Sequence, residues 1–484
     1  MVIRTRGQRT HGRNRTAPAD ATIYWLSKRT RNDLFLLYSF ADSGVPTDEL
    51  RAHVEQRGAL IPDLRVRLRE VPGDLDYPSW VRCEFAADQF VEHALPRPDW
   101  AHVQAALGEL LDTGVDAADR PWRLHVFRGI AGAPMRSDPA ELATVVVIQM
   151  SHALADGKRA AELARMLFGG ADPAHVHPAH AEPSRPPRHP RCRPGFRLVR
   201  ESVTAFGVTA GVAGLLRAPI QVAQTMVRGF HAYRAQQTLA ELTETGLLPG
   251  PGPSFVPSLV NRANAERDTA HQARMLVYPS DELRIPGRTV TVVALTAVSL
   301  ALPNHLASLG KPVDSSGAQV PMALPGKSLS RNNYRSLGVD LHIGEPDLRR
   351  RADQIAATLA ARRTRAEHPL LTVQDRVTAV TPAALLRRDI DRYPLDTVPD
   401  AIAGHTVVSS VHRGPADLSF GGPVRFTAGF PAIGSVMHLT HGVHGLGDTV
   451  TISVHADASA VPDIDAYLAR LESAVGEVRA AHGP

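Results

Sequence analysis

The chain has 484 residues, 43% apolar and 21% charged, enough to bury a core in each of two or three domains. That composition excludes a disordered, collagenous or disulfide-stapled chain, and two cysteines, Cys83 and Cys192, allow one bridge at most, so a reducing compartment is expected. The net charge of +5 is matched by Arg4, Arg6, Arg9, Arg13 and Arg15 in a stretch without an acid, and the rest is balanced, which argues against a nucleic-acid partner.

Those arginines lead into residues 17–20, Ala-Pro-Ala-Asp, with no apolar run of a secretory leader behind them, so residues 1–20 read as a disordered basic tail and a cytoplasmic protein is expected. Such a tail also suits peripheral docking on an anionic membrane or lipid-droplet surface. Residues 34–40 suit a buried strand. A helix follows, with Thr47 as its cap, Asp48 and Glu49 in the first turn, Leu50 and Val54 on one face and Gly58 at its close.

Residues 122–130 and 142–150 read as strands, the second fully buried because Val145, Val146, Val147 and Ile148 are consecutive. Residues 158–168 read as a helix with Ala160, Leu163, Ala164 and Leu167 as its apolar stripe. The proline-rich stretch 169–195 has too little apolar surface to offset its ordering and reads as a linker. Residues 196–247 then read as helical, with a lipid-touching surface as one reading of 203–227.

In the second half, residues 275–278 suit a strand, and 290–302 a core helix capped near Thr289 or Thr291 and ended by Pro303. Leu348, Ile355 and Leu359 mark an arginine-rich helix whose Arg349–Arg351 and Arg362–Arg365 read as a solvated face. Val450, Ile452 and Val454 mark a strand, and a last helix starts at Pro462 and Asp463. The expected organisation is a tail (1–20), an α/β domain (21–168), a linker with crossover helices (169–257) and a second, similar α/β domain (258–484).

The chemical signal is Ser151-His152-Ala153-Leu154-Ala155-Asp156-Gly157, an H-x-x-x-D-G at the exit of the most hydrophobic strand. A histidine on a loop between a buried strand and a helix is held rigidly while one ring nitrogen stays free. Imidazole, with an ordinary pKa near 6.5, is mostly neutral at pH 7 and can take a hydroxyl proton as that hydroxyl attacks a carbonyl. Asp156 can fold back on the loop to fix its shape, and Gly157 offers a backbone angle or close approach closed to other residues.

The motif, its strand and the run Pro121-Trp122-Arg123-Leu124-His125 resemble the bacterial wax ester synthase/diacylglycerol acyltransferase family. The resemblance implies an α/β fold of two chloramphenicol-acetyltransferase-like halves, each a mixed sheet with helices, and a tunnel between them. It implies His152 as the catalytic base, Asp156 as structural and Gly157 as the motif glycine. Acyl-CoA is implied as co-substrate, with no permanently bound cofactor, and a hydroxyl-bearing lipid as acceptor.

The chain departs from the family pattern at Ser151, where a first histidine is usual; near Thr291, where an Asn-Asp pair is usual; and at Ser409 to Pro415, in place of Ser/Thr-Asn-Val-Pro-Gly-Pro. Asn332 or Asn333 occupies the family's Gly-Asn position. Ser151 is a candidate substrate contact or oxyanion donor. These departures keep open a catalytically degenerate lipid- or partner-binding protein of the same fold, and a carrier protein as acyl donor. His438, His441 and His444 read as a loop or strand edge, without a carboxylate pair to complete a metal site.

Overall fold

The computed structural model describes residues 15–170, 198–263, 270–326 and 328–483, the side chains of 198–216 excepted. The first half holds α1 (Pro18–Ser27), β1 (Leu34–Ala41), α2 (Thr47–Leu60), β2 (Val66–Arg69), β3 (Ser79–Arg82), β4 (Phe90–Glu92), α3 (Trp100–Leu111), β5 (Trp122–Ile130), β6 (Ala143–Met150) and α4 (Gly157–Phe168). The long α5 (Leu198–Glu244) leads to β7 (His271–Pro279), α6 (Val290–Ser308), β8 (Gly317–Ala323), β9 (Tyr334–Asp340), α7 (Leu348–Ala366), α8 (Pro369–Thr378) and α9 (Ala383–Arg392). β10 (Thr406–His412), β11 (Val424–Phe430), β12 (Leu439–Leu446), β13 (Thr449–Asp457) and α10 (Ile464–Ala481) complete the chain.

Two mixed sheets carry the fold, in the orders β11-β1-β6-β5-β4 and β7-β13-β12-β10-β8-β9, beside a small β2-β3 hairpin. The division into two halves is therefore crossed. β11 leaves the second half and pairs antiparallel with β1 of the first, Phe35 opposite Phe430. β1 is buried along nearly its whole length, so without β11 it would be an apolar edge with unpaired backbone groups.

β11 in turn lies against the second sheet, where Ser453 Oγ donates to Gly429 O at 2.5 Å. A Cβ on Gly442 would come within 2.1 Å of that same carbonyl oxygen, so β12 can approach β11 this closely only with glycine there.

Several expectations are corrected. Residues 15–20 belong to the folded body: Arg15 pairs with Asp76 at 2.6 Å, Thr16 and Asp20 are buried, and α1 begins at Pro18. Residues 1–14 of the expected tail, and 171–197 of the expected linker, lie outside the described residues. Thr47 is the first residue of α2, its hydroxyl bonded to Glu92 at 3.0 Å, and the helix runs past Gly58 to Leu60. β12 is an inner strand of its sheet, not a loop or edge.

α6 runs through Pro303 to Ser308. Proline lacks the N–H that would bond the carbonyl of Ser299, and Arg351 reaches that turn instead, its Nη1 3.2 Å from Ser299 Oγ and 3.5 Å from Ser299 O. Arg351 is thus buried, which corrects the solvated face expected for it. Thr289 caps α6, accepting from Val292 N. By length and composition α6 could cross a membrane, yet two thirds of its apolar window is buried, and it packs against α10 and α7.

Candidate active site

β6 ends at Met150, opposite Leu34 of β1 and Trp122 of β5, and delivers Ser151 and His152 into the seam. The turn is fixed at its start by Ser151 N, which donates to Pro121 O at 2.8 Å. It is fixed at its end by Asp156, whose Oδ1 accepts Arg159 N at 2.9 Å as the cap of α4. Asp156 Oδ2 also accepts Asn333 N at 3.1 Å, which ties the loop to the strand entry of β9 in the other half.

Asn332 fixes the histidine ring. Its Nδ2 donates to His152 O at 2.8 Å and to Asp20 Oδ1 at 3.0 Å, both acceptors, so its Oδ1 faces His152 Nδ1, 2.8 Å away. Nδ1 must then carry the proton, and the lone pair of the neutral ring sits on Nε2. Nε2 makes no hydrogen bond among the described residues, and the Tyr334 ring lies alongside at 5.7 Å between centroids.

Asp20, at the start of α1, grips the same segment, accepting from Ser330 Oγ at 2.5 Å, Arg331 N at 2.8 Å and Asn332 N at 3.1 Å. Burial pushes the Asp20 carboxyl up, against the pull of those donors. Arg331 completes the clamp: it pairs with Asp63 at 2.9 Å and lies over the Trp80 ring at 4.6 Å. Asp63 is held below the usual carboxylate range because Arg331 and Arg159 outweigh its burial.

Burial holds His152 below the ordinary imidazole pKa, partly opposed by its hydrogen bonds and by Asp156 and Asp20. A ring neutral at pH 7, with Nδ1–H anchored and Nε2 bare, can act as a general base.

The structure brings His152 and Asp156 to the seam as one unit. Ser151 is fully buried and its Oγ has no partner, so it is sealed from a substrate beside His152. Gly157 has no left-handed backbone angle, and a Cβ there would meet only Val411 Cγ2 at an ordinary 3.6 Å; its expected steric role is corrected. Two of the altered family marks meet, Thr291 Oγ1 donating to Ser410 Oγ at 2.9 Å.

Of the two asparagines the sequence left open, Asn332 serves His152 and Asn333 serves Asp156. Asp20, Arg331 and Asp63 were missed. Pro18 followed by an acid in the first turn is a helix start and could have rescued Asp20 from the tail. His441 and His444, three apart on β12, point to opposite faces; His441 bonds Thr406 Oγ1 and Tyr467 OH, while His438 faces Asp457 at 3.3 Å.

A cavity of about 540 Å³ and an adjoining one of about 200 Å³ lie at the same end of the first sheet, and neither is lined by His152. They do not trace the tunnel expected at that ring.

The wax ester synthase/diacylglycerol acyltransferase catalytic domain matches residues 17–298, and the C-terminal domain of the same family matches residues 331–479. The chain belongs to this family. Membership in the wax ester synthase/diacylglycerol acyltransferase family supports acyltransferase chemistry.

Among solved structures, the chain is similar to the wax ester synthase/diacylglycerol acyltransferase from Marinobacter aquaeolei VT8, at 16% identity and a TM-score of 0.57 over 97% of this chain and 100% of that one. It is also similar to a mutant starter condensation domain of rhizomide synthetase RzmA in complex with C8-CoA and Leu-SNAC, at 12% identity and a TM-score of 0.52 over 98% and 95% of the two chains. At these identities the likeness speaks to fold. A search of curated protein sequences finds no match.

Proposed function

We propose that this acyltransferase transfers a long acyl chain from acyl-CoA to the hydroxyl of diacylglycerol or a long-chain alcohol, with His152 as general base. The observation that carries this reading is the fixed tautomer: Asn332 holds Nδ1–H and Nε2 is bare. Nε2 takes the hydroxyl proton, the oxygen attacks the thioester carbonyl, and collapse of the tetrahedral intermediate expels the thiolate, which recovers the proton from Nε2. No covalent enzyme intermediate is needed.

Attachment to a lipid surface is supported by α5, where Ile220, Met226, Val227, Phe230 and Tyr233 are all exposed on one face. Phe230→Ser together with Met226→Ser is expected to lower co-sedimentation with phosphatidylglycerol vesicles several-fold, and unchanged binding would remove α5 from that role.

The deciding experiment is His152→Ala with palmitoyl-CoA and either diacylglycerol or hexadecanol. Ester formation and thiol release should both fall by about 10³-fold or more. Undiminished turnover removes His152 from the mechanism. If the native chain binds palmitoyl-CoA and releases no thiol with any alcohol, the catalytically degenerate reading replaces this one.

A further inference from the structure

We propose that the cleft between α1, α9 and residues 432–435 binds a long-chain amphiphile with an anionic head, at a site separate from His152. The cleft has two bays. The larger, about 540 Å³, has Leu26, Ile390, Leu395 and Ile433 in its walls and is of the size that holds small ligands. The smaller, about 200 Å³, is polar and contains His271 and Asp457. Both bays include Thr30, Arg31, Ile433 and Gly434, so they form one continuous space, apolar at one end and polar at the other.

Arg31 stands where the bays meet, and Arg29 lines the polar bay beside it. Arg29 donates to Ile390 O, and Arg31 Nε donates to Asp112 O at 3.0 Å; among the described residues neither guanidinium has a carboxylate within 4.0 Å. Lys28 differs, being paired with Glu70. The acids of the polar bay already face histidines, Asp112 with His271 at 3.8 Å and Asp457 with His438 at 3.3 Å. Two guanidiniums bonded only to neutral carbonyls keep donors free, in the fork geometry that suits phosphate or carboxylate. A chain laid against Leu26 and Ile433 would bring its head to them.

The site is not the catalytic passage. On α1, Thr22 and Leu26 face the cleft, whereas Asp20, some 200° to 240° around the helix from them, holds the Asn332 segment. The occupant and His152 therefore sit on opposite sides of one helix.

The test is titration calorimetry of the full chain with dodecyl phosphate below its micelle concentration, and with dodecanoate, dodecanol and inorganic phosphate. Saturable binding of dodecyl phosphate or dodecanoate is expected, at least tenfold tighter than dodecanol, with inorganic phosphate undetectable. A preference for the phosphate assigns a phospholipid or CoA-type head; parity assigns a fatty acid as well. Arg29→Gln with the exposed Arg31→Gln should weaken the anionic ligands at least tenfold and leave dodecanol unchanged. Leu26→Trp should weaken all three chains, and His152→Ala none. Absence of saturable binding by dodecyl phosphate and dodecanoate, or its indifference to both the arginine and the Leu26 variants, would overturn the site, whatever the outcome for catalysis.

Discussion

The chemistry turns on a single proton at His152 Nδ1, and Asn332 is what keeps it there. Removing that amide frees the ring to rotate and to place its proton on Nε2, where it cannot act as a base. Asn332→Ala is therefore expected to lower kcat by about 10²-fold while KM changes little, because the asparagine side chain is engaged by Asp20 and His152 and does not face substrate. A second reading separates this role from mere loss of fold. The hydrogen bond that His152 Nδ1–H donates to Asn332 Oδ1 raises the His152 pKa, so without it the pKa falls and the acid limb of kcat/KM moves to lower pH. An unchanged limb in a folded, slowed variant would mean that Asn332 does not touch the ionisation of the base.

At the scale of elements, the two sheets are joined by strand exchange, and the joint depends on a residue without a side chain. Gly442→Ala would drive a methyl toward the Gly429 carbonyl, so β11 and β12 must move apart; a loss of about 1 to 3 kcal/mol in urea unfolding is expected, with His152 chemistry slowed because β11 also pairs with β1. Local elements were legible in the sequence, because the period of β6 and the stripe of α4 are set by residues a few positions apart. Partners hundreds of residues away were not. Nothing near Asp20 announces Asn332, 312 positions on, and nothing in the run Val424–Phe430 says that it will complete the sheet of the other half. The end of α6 was misplaced for a similar reason: Pro303 stops a helix in isolation, and the Arg351 that satisfies the freed carbonyl comes from α7. The histidine motif was visible because strand, loop and helix are contiguous, while the clamp that orients its ring is assembled from α1 and the entry to β9.

For the whole molecule, burial of neutral imidazoles sets an acid limit to folding. His125 and His441 are pushed down to about 4 and His455 to about 3, in each case first by burial. In the unfolded chain the same rings titrate near 6.5, so below that pH the unfolded state binds more protons than the native state. Their contribution to stability is fully present above pH 6.5 and is lost as pH falls toward 4. Asp33 acts in the opposite sense: burial raises its carboxyl to about 6, so its protonated form favours the native state as pH drops through that value. Asp20 and Asp74 are raised as well, but the lowered imidazoles, with His93, His271, His405 and His444 beside these three, outnumber the raised carboxyls, each ring worth about 1.4 kcal/mol per pH unit across the window. The urea midpoint should therefore be flat from pH 8 to 7 and fall steadily from pH 6.5 to 4.5. His441→Gln, which keeps a polar group beside Thr406 and Tyr467 without a titrating ring, should make that fall shallower. A midpoint independent of pH across the window would show that these rings stay neutral in the unfolded chain as well, or that the native state admits their charge.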